Sequence, residues 1–228
     1  MSSANTTRDD SGKTLELVAR LDALYPAVVA DCLDRLGYRN QVLAPRIRPL
    51  YPTARVAGVA FTVECVDTNE IPDDPDDHYK GELQAVDALS PGDVMVVSNC
   101  EGPYWGELLA TASRYRGATG IVADAYARDT MALIDMEFPT FVKGIHATDS
   151  LGRLDVLSVG TTITCGDVAI SAGDLILGDH DGVVSLPRAT AESAISAAEE
   201  KVAGENMVRE KLAAGMPVWE AFRKYGII

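Results

Sequence analysis

The sequence predicts a single α/β domain with a β-rich core, outer helices and a central βαβ unit. Two apolar runs of the buried-strand type, Val94–Ser98 and Thr119–Asp124, flank a helical segment at Trp105–Tyr115. Short β segments separated by Gly and Asp turns fill Phe138–Leu186. A long amphipathic segment, Ala189–Ala214, predicts a helix near the C-terminus. No internal repeat or linker divides the chain, so we expect one domain.

The first part of the chain predicts a polar tail followed by helices and one strand. Residues 1–12 are polar, so we expect a disordered tail ahead of one domain over residues 13–228. Gly58 predicts a kink or bulge in the strand that contains it. The predicted elements are helix Thr14–Leu24, helix Pro26–Leu36, strand Val56–Val66 and helix Tyr79–Leu89.

The second part predicts a succession of short strands and then the C-terminal helices. Alternating apolar residues identify the strands, and Gly or Asp marks the turns between them. The predicted elements are strands Thr140–Val142, Leu154–Val159, Thr161–Thr164, Val168–Ile170, Leu175–Gly178 and Gly182–Leu186, and a short final helix Pro217–Tyr225.

The charge of the chain excludes some classes of partner. The formal net charge is −14, whereas binding to nucleic acid or to an anionic membrane needs a basic face. An acidic chain is compatible with a divalent metal. The run Asp73–Asp77 predicts a solvated loop because consecutive carboxylates repel, with a lid or a cation-attracting rim as the alternative.

Several absences indicate a cytoplasmic protein. No apolar run reaches the length of a membrane span, and the N-terminus lacks the apolar core of a signal peptide. Four cysteines are scattered without a CxxC pair, which predicts reduced, buried thiols. With only three histidines, any metal is expected to be a hard cation held by oxygen ligands.

The most informative motif joins the helical segment of the βαβ unit to the residues after its second strand. Trp105-Gly106-Glu107-Leu108-Leu109 is followed by Arg128-Asp129, with twenty residues between Glu107 and Arg128. A helix N-terminus and a loop after a parallel strand converge on one crevice in α/β folds. The motif therefore predicts a site that binds an anion and a metal.

These residues and others resemble a known family. The stretches that carry the resemblance are Ala27–Gly37, Ile47–Pro52, Arg55–Gly58, Ser90–Asp93, Trp105–Leu108, Ala127–Asp129, Gly178–Val184 and Lys224–Ile228. Together they resemble the RraA-like family, which includes class II 4-hydroxy-4-methyl-2-oxoglutarate aldolases. Some members carry the older name demethylmenaquinone methyltransferase. The resemblance covers nearly the whole chain from about residue 15.

The resemblance implies an α/β/β sandwich or barrel that assembles as a trimer or a dimer of trimers, with the site at a subunit boundary. The aldolase signature of the family is an acid, twenty residues, Arg-Asp, two residues and another acid. Here Glu107 stands where the best-known aldolases carry Asp, and Ala132 replaces the last acid.

The resemblance also implies roles for the charged residues. Asp129 would be the one direct protein ligand of Mg²⁺ or Mn²⁺, with a helix N-cap as the alternative. Arg128 would pair with the substrate carboxylate or the enolate oxygen, and the alternative is a surface ion pair. Glu107 would bind the metal through water, or it would only complement the helix dipole.

Further residues are expected around this centre. The backbone N–H groups of Gly106, Leu108 and Leu109 would hold the substrate carboxylate, while both Leu side chains are expected in the core. Glu205 of a neighbouring subunit would reach the metal through water, with Glu199, Glu200 or a merely solvated helix face as alternatives.

Two residues beside this centre have more than one interpretation. Asp124 would orient Arg128, or it would serve as a cap or turn residue at the end of its strand. Lys143 is the one lysine in an apolar, strand-like context, as a Schiff-base aldolase would need. The resemblance to a metal-dependent family and the glycine that follows Lys143 make the Schiff-base role the weaker interpretation.

The implied activity is that of a metal-dependent lyase acting on small 2-oxo acids through pyruvate enolate. Such a site would cleave 4-hydroxy-4-methyl-2-oxoglutarate or 4-carboxy-4-hydroxy-2-oxoadipate, or decarboxylate oxaloacetate. Because Ala132 replaces the last acid of the signature, decarboxylation or a different oxo-acid substrate is favoured over aldol cleavage.

Two other function classes remain as alternatives. The first is a non-catalytic, protein-binding regulator, since some family members inhibit an endoribonuclease. An S-adenosylmethionine methyltransferase ranks third, because the expected glycine-rich loop is missing.

Overall fold

A nine-stranded mixed sheet forms the centre of the fold. The computed structural model describes the backbone of residues 3–227 and the side chains of residues 12–227. The strands are β1 Arg48–Pro49, β2 Val56–Asp67, β3 Asp93–Val97, β4 Pro103–Trp105, β5 Gly120–Ala127, β6 Thr140–Ile145, β7 Leu154–Val159, β8 Ile163–Cys165, β9 Val168–Ile170, β10 Leu175–Asp179 and β11 Gly182–Leu186. The helices are α1 Ser3–Asp22, α2 Pro26–Arg35, α3 Lys80–Asp87, α4 Glu107–Arg116, α5 Thr130–Asp135, α6 Ala191–Ala213 and α7 Val218–Tyr225, with a short 3-10 helix at Pro75–Asp77.

The sheet curls into a nearly closed barrel. Its order is β1-β6-β5-β3-β2-β10-β11, with β4 beside β5 and β7 beside β2. The four central strands β2, β3, β5 and β6 are parallel, as the predicted βαβ unit requires. Val42, which precedes β1, bridges to Val184 of β11, so the two ends of the sheet approach each other. Of the two predicted architectures, the structure has the barrel.

Alternation along β3 divides the core between two faces of the sheet. Met95 and Val97 pack among the side chains under α3, α4 and α5, whereas Val94 and Val96 pack on the inner face with the β8–β9 hairpin. A third cluster holds α1, α2 and α6 against β10 and β11. All four cysteines are buried and free, which confirms that prediction.

The predicted irregularity at Gly58 was wrong in kind. The register shift of β2 lies between Glu64 and Cys65, where the strand pairs with β7. Gly58 instead allows a close approach, because a Cβ atom there would lie 2.4 Å from the carbonyl oxygen of Gly92. The residue is therefore needed for packing between β2 and the turn that leads into β3.

Two helix boundaries also differ from prediction. Trp105 lies in β4, and Gly106 is extended with φ −153° and ψ 178°, so α4 begins at Glu107. The β4 strand was missed because three residues are too few for a periodic pattern. At the N-terminus, α1 already begins at Ser3 and not at Thr14. A single glycine and no proline within Ser3–Asp22 let the helix extend through the polar residues.

Other predicted features agree with the structure. The Asp73–Asp77 loop is exposed, as expected for a solvated acidic run. In the part of the chain described, no helix has the length and apolarity needed to cross a membrane.

Candidate functional site

A cavity of about 300 Å³ lies between α3, β4, the start of α4 and the segment that follows β5. Its position beyond the carboxyl end of β5 is the usual place for a ligand in an α/β sheet. Its volume suits a small molecule. The lining residues are Tyr79, Glu82, Leu83, Pro103, Tyr104, Trp105, Gly106, Leu108, Leu109, Arg128, Asp129 and Ser150.

The backbone joins the two halves of the predicted motif. The N–H of Arg128 donates to the carbonyl oxygen of Trp105 at 2.8 Å. A Cβ atom at Gly106 would lie 2.9 Å from Asp129 Oδ2, so only glycine leaves the carboxylate in place. The structure therefore brings Arg128, Asp129 and the N-terminus of α4 together, as the spacing predicted.

Asp129 has an uncommon backbone conformation that directs its carboxylate. Its φ is 54°, in the left-handed region that few residues other than glycine adopt. It precedes α5, but its side chain makes no capping hydrogen bond. The carboxylate is half exposed, lies 3.8 Å from Arg128 Nε and accepts a 3.4 Å bond from the N–H of Glu107. The Asp129 side chain therefore does not cap α5, which was the alternative interpretation.

Arg128 is oriented by Asp149, which the sequence did not identify. Arg128 Nη1 donates to Asp149 Oδ1 at 2.9 Å. Asp149 also accepts from the Tyr79 hydroxyl and from the N–H of Ser150. Burial raises the pKa of Asp149, but these hydrogen bonds and the Arg128 charge outweigh it, so the pKa lies below its ordinary value. The carboxylate therefore stays ionised beside the guanidinium.

The prediction that Asp124 orients Arg128 was wrong. Asp124 is buried, and both of its carboxylate oxygens accept hydrogen bonds from Arg46, from Nε at 3.0 Å and from Nη2 at 2.7 Å. It also accepts from the N–H of Gly166. Asp124 lies on the inner face of β5 with Val122, so strand alternation directs it into the barrel.

The Glu107 carboxylate lies along its own helix. Glu107 Oε1 accepts from Thr111 Oγ1 at 2.8 Å, one turn further on, and the side chain is partly exposed. A water-bridged role of this carboxylate toward a metal remains a prediction. The acid missing at Ala132 has less bearing on the cavity than the signature suggested, because Ala132 is exposed on α5 and does not line the cavity.

The two leucines at the start of α4 differ in burial. Leu109 packs against the outer core cluster, but Leu108 is 78% exposed at the cavity mouth, so its predicted core position was wrong. The buried face of α4 is formed by Ala110 and Ser113. Leu108 and Leu109 are first-turn residues, whose backbone N–H groups have no acceptor within the helix.

Glu82 is a site residue that the sequence reasoning missed. Its side chain is buried in the cavity wall, and Oε2 accepts from Ser150 Oγ at 3.0 Å. Burial is the main cause that raises its pKa from 4.5 to about 7. A signal existed, because Glu82 shares the buried stripe of α3 with Ala85 and Val86 at helical spacing. An acid on an apolar stripe indicates a buried, perturbed carboxyl group.

Lys143 is committed to a structural ion pair. Its ammonium group donates to Glu101 at 2.7 Å and Asn99 at 3.2 Å, and it lies 4.9 Å from the centre of the Tyr126 ring. It lies within β6 and outside the cavity lining. Because the Lys143 ammonium group is engaged with Glu101 and lies outside the cavity, these contacts do not support the Schiff-base interpretation.

The acids proposed for a neighbouring subunit lie away from the cavity of their own chain. Glu205 accepts from the Tyr25 hydroxyl and lies 3.6 Å from Lys201. Glu199 pairs with Arg20 at 2.7 Å, and Glu200 is exposed on α6. A contribution of any of them to another subunit stays a prediction.

The oxygen donors at the cavity fit a cation that keeps most of its water. Among side chains 12–227, no group of three or more His, Cys, Asp and Glu residues is placed to hold a metal. Asp129 offers one half-exposed carboxylate, and Glu107, whose backbone N–H donates to that carboxylate, is a second acid at the start of α4. Mg²⁺ commonly binds one or two carboxylates and several waters, so this donor set suits Mg²⁺ or Mn²⁺.

Comparison with known proteins gives the family. The model of the RraA-like (Aldolase/RraA) family matches residues 26–185. The chain belongs to the RraA-like family. The matched range contains the Trp105-to-Asp129 motif and Asp149, so the cavity is part of the family region.

Individual relatives agree with this assignment. A protein of Halalkalibacterium halodurans with the provisional name 4-hydroxy-4-methyl-2-oxoglutarate aldolase is 29% identical over 84% of this chain and 86% of its own length. A crystal structure of an uncharacterised protein from Pseudomonas syringae has a TM-score of 0.81 at 25% identity, covering 92% of this chain and 94% of that one. RraAS2 of Streptomyces coelicolor, described as an unusual member of the RNase ES inhibitor RraA family, has a TM-score of 0.77 at 25% identity, covering 86% and 98%.

The buried carboxyl of Glu82 predicts a pH-dependent stability. Its pKa is raised from 4.5 to about 7, so the native state favours the protonated form. This stabilisation is complete below about pH 4.5 and is lost as the pH rises through about 7, by roughly 3 kcal/mol. The free energy of unfolding of Glu82→Gln, measured in urea, should therefore gain about 2.5 kcal/mol relative to wild type between about pH 5 and about pH 8.

A matched variant separates this site from the rest of the acidic chain. Glu210 is exposed on α6, so Glu210→Gln should change the unfolding free energy equally at both pH values. If Glu82→Gln behaves like Glu210→Gln, Glu82 is not the buried neutral acid described above.

Proposed function

We propose that this protein is a divalent-metal-dependent carbon–carbon lyase that acts on 2-oxo acids through pyruvate enolate. The observation that carries the proposal is the juxtaposition of Arg128 and Asp129 at one cavity. Asp149 orients the guanidinium, and Gly106 makes room for the carboxylate. The provisional aldolase name of the Halalkalibacterium relative supports the same reaction class.

The cavity offers groups that can hold the oxo-acid end of a substrate. Arg128 presents a planar cationic fork that matches a carboxylate. The free N–H groups of Leu108 and Leu109 at the start of α4 add donors and the positive end of the helix dipole. In this arrangement the substrate carboxylate would lie between Arg128 and the start of α4, and the substrate keto oxygen would lie toward Asp129.

Asp129 would hold the metal directly, and Glu107 would hold it through water. Mg²⁺ or Mn²⁺ bound there would supply Lewis-acid stabilisation of negative charge on the keto oxygen. Arg128, 3.8 Å from the Asp129 carboxylate, adds positive charge to the same side of the substrate.

The bond changes follow from this charge distribution. In a 4-hydroxy-2-oxo acid a water molecule in the cavity would take the proton of the C4 hydroxyl, and the C3–C4 bond would break as C4 becomes a carbonyl group. The electron pair of the broken bond becomes the C2–C3 double bond of pyruvate enolate, and the negative charge moves to the keto oxygen. In oxaloacetate the same bond breaks with release of CO₂. C3 of the enolate then needs one proton, which gives pyruvate.

We propose Glu82 as the acid that provides this proton. It lies in the cavity wall, and its pKa of about 7 keeps a proton available near neutral pH. Ser150 fixes the carboxyl group through the 3.0 Å hydrogen bond to Oε2.

Metal-dependent release of pyruvate tests the reaction class. Oxaloacetate, 4-hydroxy-4-methyl-2-oxoglutarate and 4-hydroxy-2-oxopentanoate would each be incubated with Mg²⁺ or with EDTA. We expect at least one to give metal-dependent pyruvate, and Asp129→Ala to lower kcat/KM at least about 100-fold, because the direct ligand is lost.

Asp135→Ala is the matched control, since Asp135 is an exposed acid at the end of α5. It should retain wild-type activity. Equal rates with Mg²⁺ and EDTA, or an Asp129→Ala variant as active as Asp135→Ala, would contradict the proposal.

The Glu82 role predicts a characteristic pH profile. Because the protonated form is the donor, turnover should fall as pH rises through about 7. Glu82→Gln should lower kcat about 100-fold with little change in KM, and the remaining activity should lose this pH dependence. An unchanged profile in a folded Glu82→Gln protein would remove Glu82 from the chemistry.

A regulatory, protein-binding role is the second candidate. The observation in its favour is a set of exposed apolar side chains, namely Leu108, Met131 and Ile145. Leu108 lines the cavity, and Ile145 lines a neighbouring surface pocket together with Arg128 and Asp129. The name of the Streptomyces neighbour refers to inhibition of an RNase. Absence of turnover with all three substrates would favour this candidate.

A further inference from the structure

The direction of the Arg128 guanidinium depends on what holds its partner Asp149. The Arg128 side chain is 41% exposed, and an exposed arginine has many rotamers that a single ion pair does little to restrict. Its Nη1 contacts Asp149 at 2.9 Å, whereas its Nε lies 3.8 Å from Asp129. Because the Asp149 side chain is itself 37% exposed, it can direct Arg128 only if its own carboxylate is fixed.

Both carboxylate oxygens of Asp149 have a donor. Oδ1 accepts from Arg128 Nη1 and from the backbone N–H of Ser150, each at 2.9 Å. Oδ2 accepts from the Tyr79 hydroxyl, the only donor to this oxygen among the described residues. The Asp149 carbonyl oxygen accepts from Arg153 Nη1 at 2.9 Å, which holds the backbone. The Tyr79 hydroxyl therefore stops the carboxylate from turning away from Arg128.

The surroundings of Tyr79 hold its hydroxyl in this place. Tyr79 has φ 57°, a left-handed conformation that persists in residues other than glycine only where the neighbouring structure imposes it. It directly precedes α3, and its carbonyl oxygen accepts from the N–H of Leu83 at 2.9 Å. Its side chain is half-buried and lies in the wall between the cavity and an adjoining space of about 570 Å³.

From these contacts we propose that Tyr79 is a positioning residue, which fixes the Asp149 carboxylate and thereby the direction in which Arg128 meets the substrate carboxylate. A phenol has one O–H, and that of Tyr79 is given to Asp149, so Tyr79 acts through Asp149 and not as a donor to the substrate. Fixing a binding group before the ligand arrives lowers the entropic cost of binding. This inference rests on the proposed function and adds a residue to its substrate-binding machinery.

The affinity for pyruvate tests the inference without requiring turnover. Pyruvate carries the carboxylate and keto groups of the proposed substrates, and its binding would be measured by titration calorimetry with the full chain and Mg²⁺. Tyr79→Phe keeps the ring in the cavity wall and removes only the hydroxyl. We expect it to bind pyruvate at least about five-fold more weakly than wild type, because Arg128 is then less well fixed.

A double-mutant cycle shows whether Tyr79 acts through Asp149. In an Asp149→Ala background, which lacks the carboxylate, Tyr79→Phe should change the affinity for pyruvate less than about two-fold. Tyr115→Phe is the matched control, since Tyr115 is 90% exposed on α4 and does not line the cavity. It should leave the affinity within about two-fold of wild type. Tyr79 and Asp149 are both partly exposed, so all of these variants are expected to fold.

The outcomes separate this inference from the proposed function. A Tyr79→Phe variant that binds pyruvate as tightly as wild type, or that loses affinity equally in both backgrounds, overturns the inference even if pyruvate release is metal-dependent. The expected pattern without metal-dependent pyruvate release from any of the three substrates overturns the lyase and leaves Tyr79 as a positioning residue of an oxo-acid site. Wild-type protein that does not bind pyruvate contradicts both.

Discussion

The hydrogen bond from the N–H of Arg128 to the carbonyl oxygen of Trp105 is the interaction on which the site depends. It continues the parallel pairing of β4 with β5 by one residue, so it fixes the post-strand loop against the start of α4. Twenty residues separate Glu107 from Arg128 in the sequence, and this pairing brings the start of α4 and the Arg128-Asp129 pair together in space. Gly106 completes the junction, because any Cβ atom there would displace the Asp129 carboxylate. The site is therefore a consequence of sheet register.

A second layer of contacts gives the cavity its chemical character. Asp149 holds Arg128 on one side and accepts from Tyr79 on the other, and the adjacent Ser150 holds Glu82. Tyr79, with φ 57°, and Asp129, with φ 54°, are both left-handed residues at the cavity, where such backbone conformations often mark function. The Asp149 contacts thus keep one carboxylate ionised beside the guanidinium, while burial raises the pKa of the second carboxyl group, Glu82, to about 7.

Much of the fold could be predicted because long apolar runs and turn residues report directly on strands and helices. The βαβ unit and the convergence of the start of α4 with the Arg128-Asp129 pair follow from pattern and spacing. The partner of Arg128 could not be predicted, since Asp149 lies on a later loop and only tertiary packing brings it near. Asp124 was misassigned because its neighbours in sequence do not reveal which face of β5 it occupies. The burial of Glu82 could have been predicted, because its spacing to the apolar residues of α3 places it on the buried stripe of that helix.

Formation of an enolate at Arg128 and Asp129 is the central claim, and exchange of the methyl protons of pyruvate with deuterated water measures it most directly. Exchange needs no knowledge of the natural substrate, since pyruvate is the common product. The account predicts deuterium uptake that requires Mg²⁺ and falls at least about 100-fold in Asp129→Asn. Uptake no faster than in a protein-free control with Mg²⁺ would contradict it.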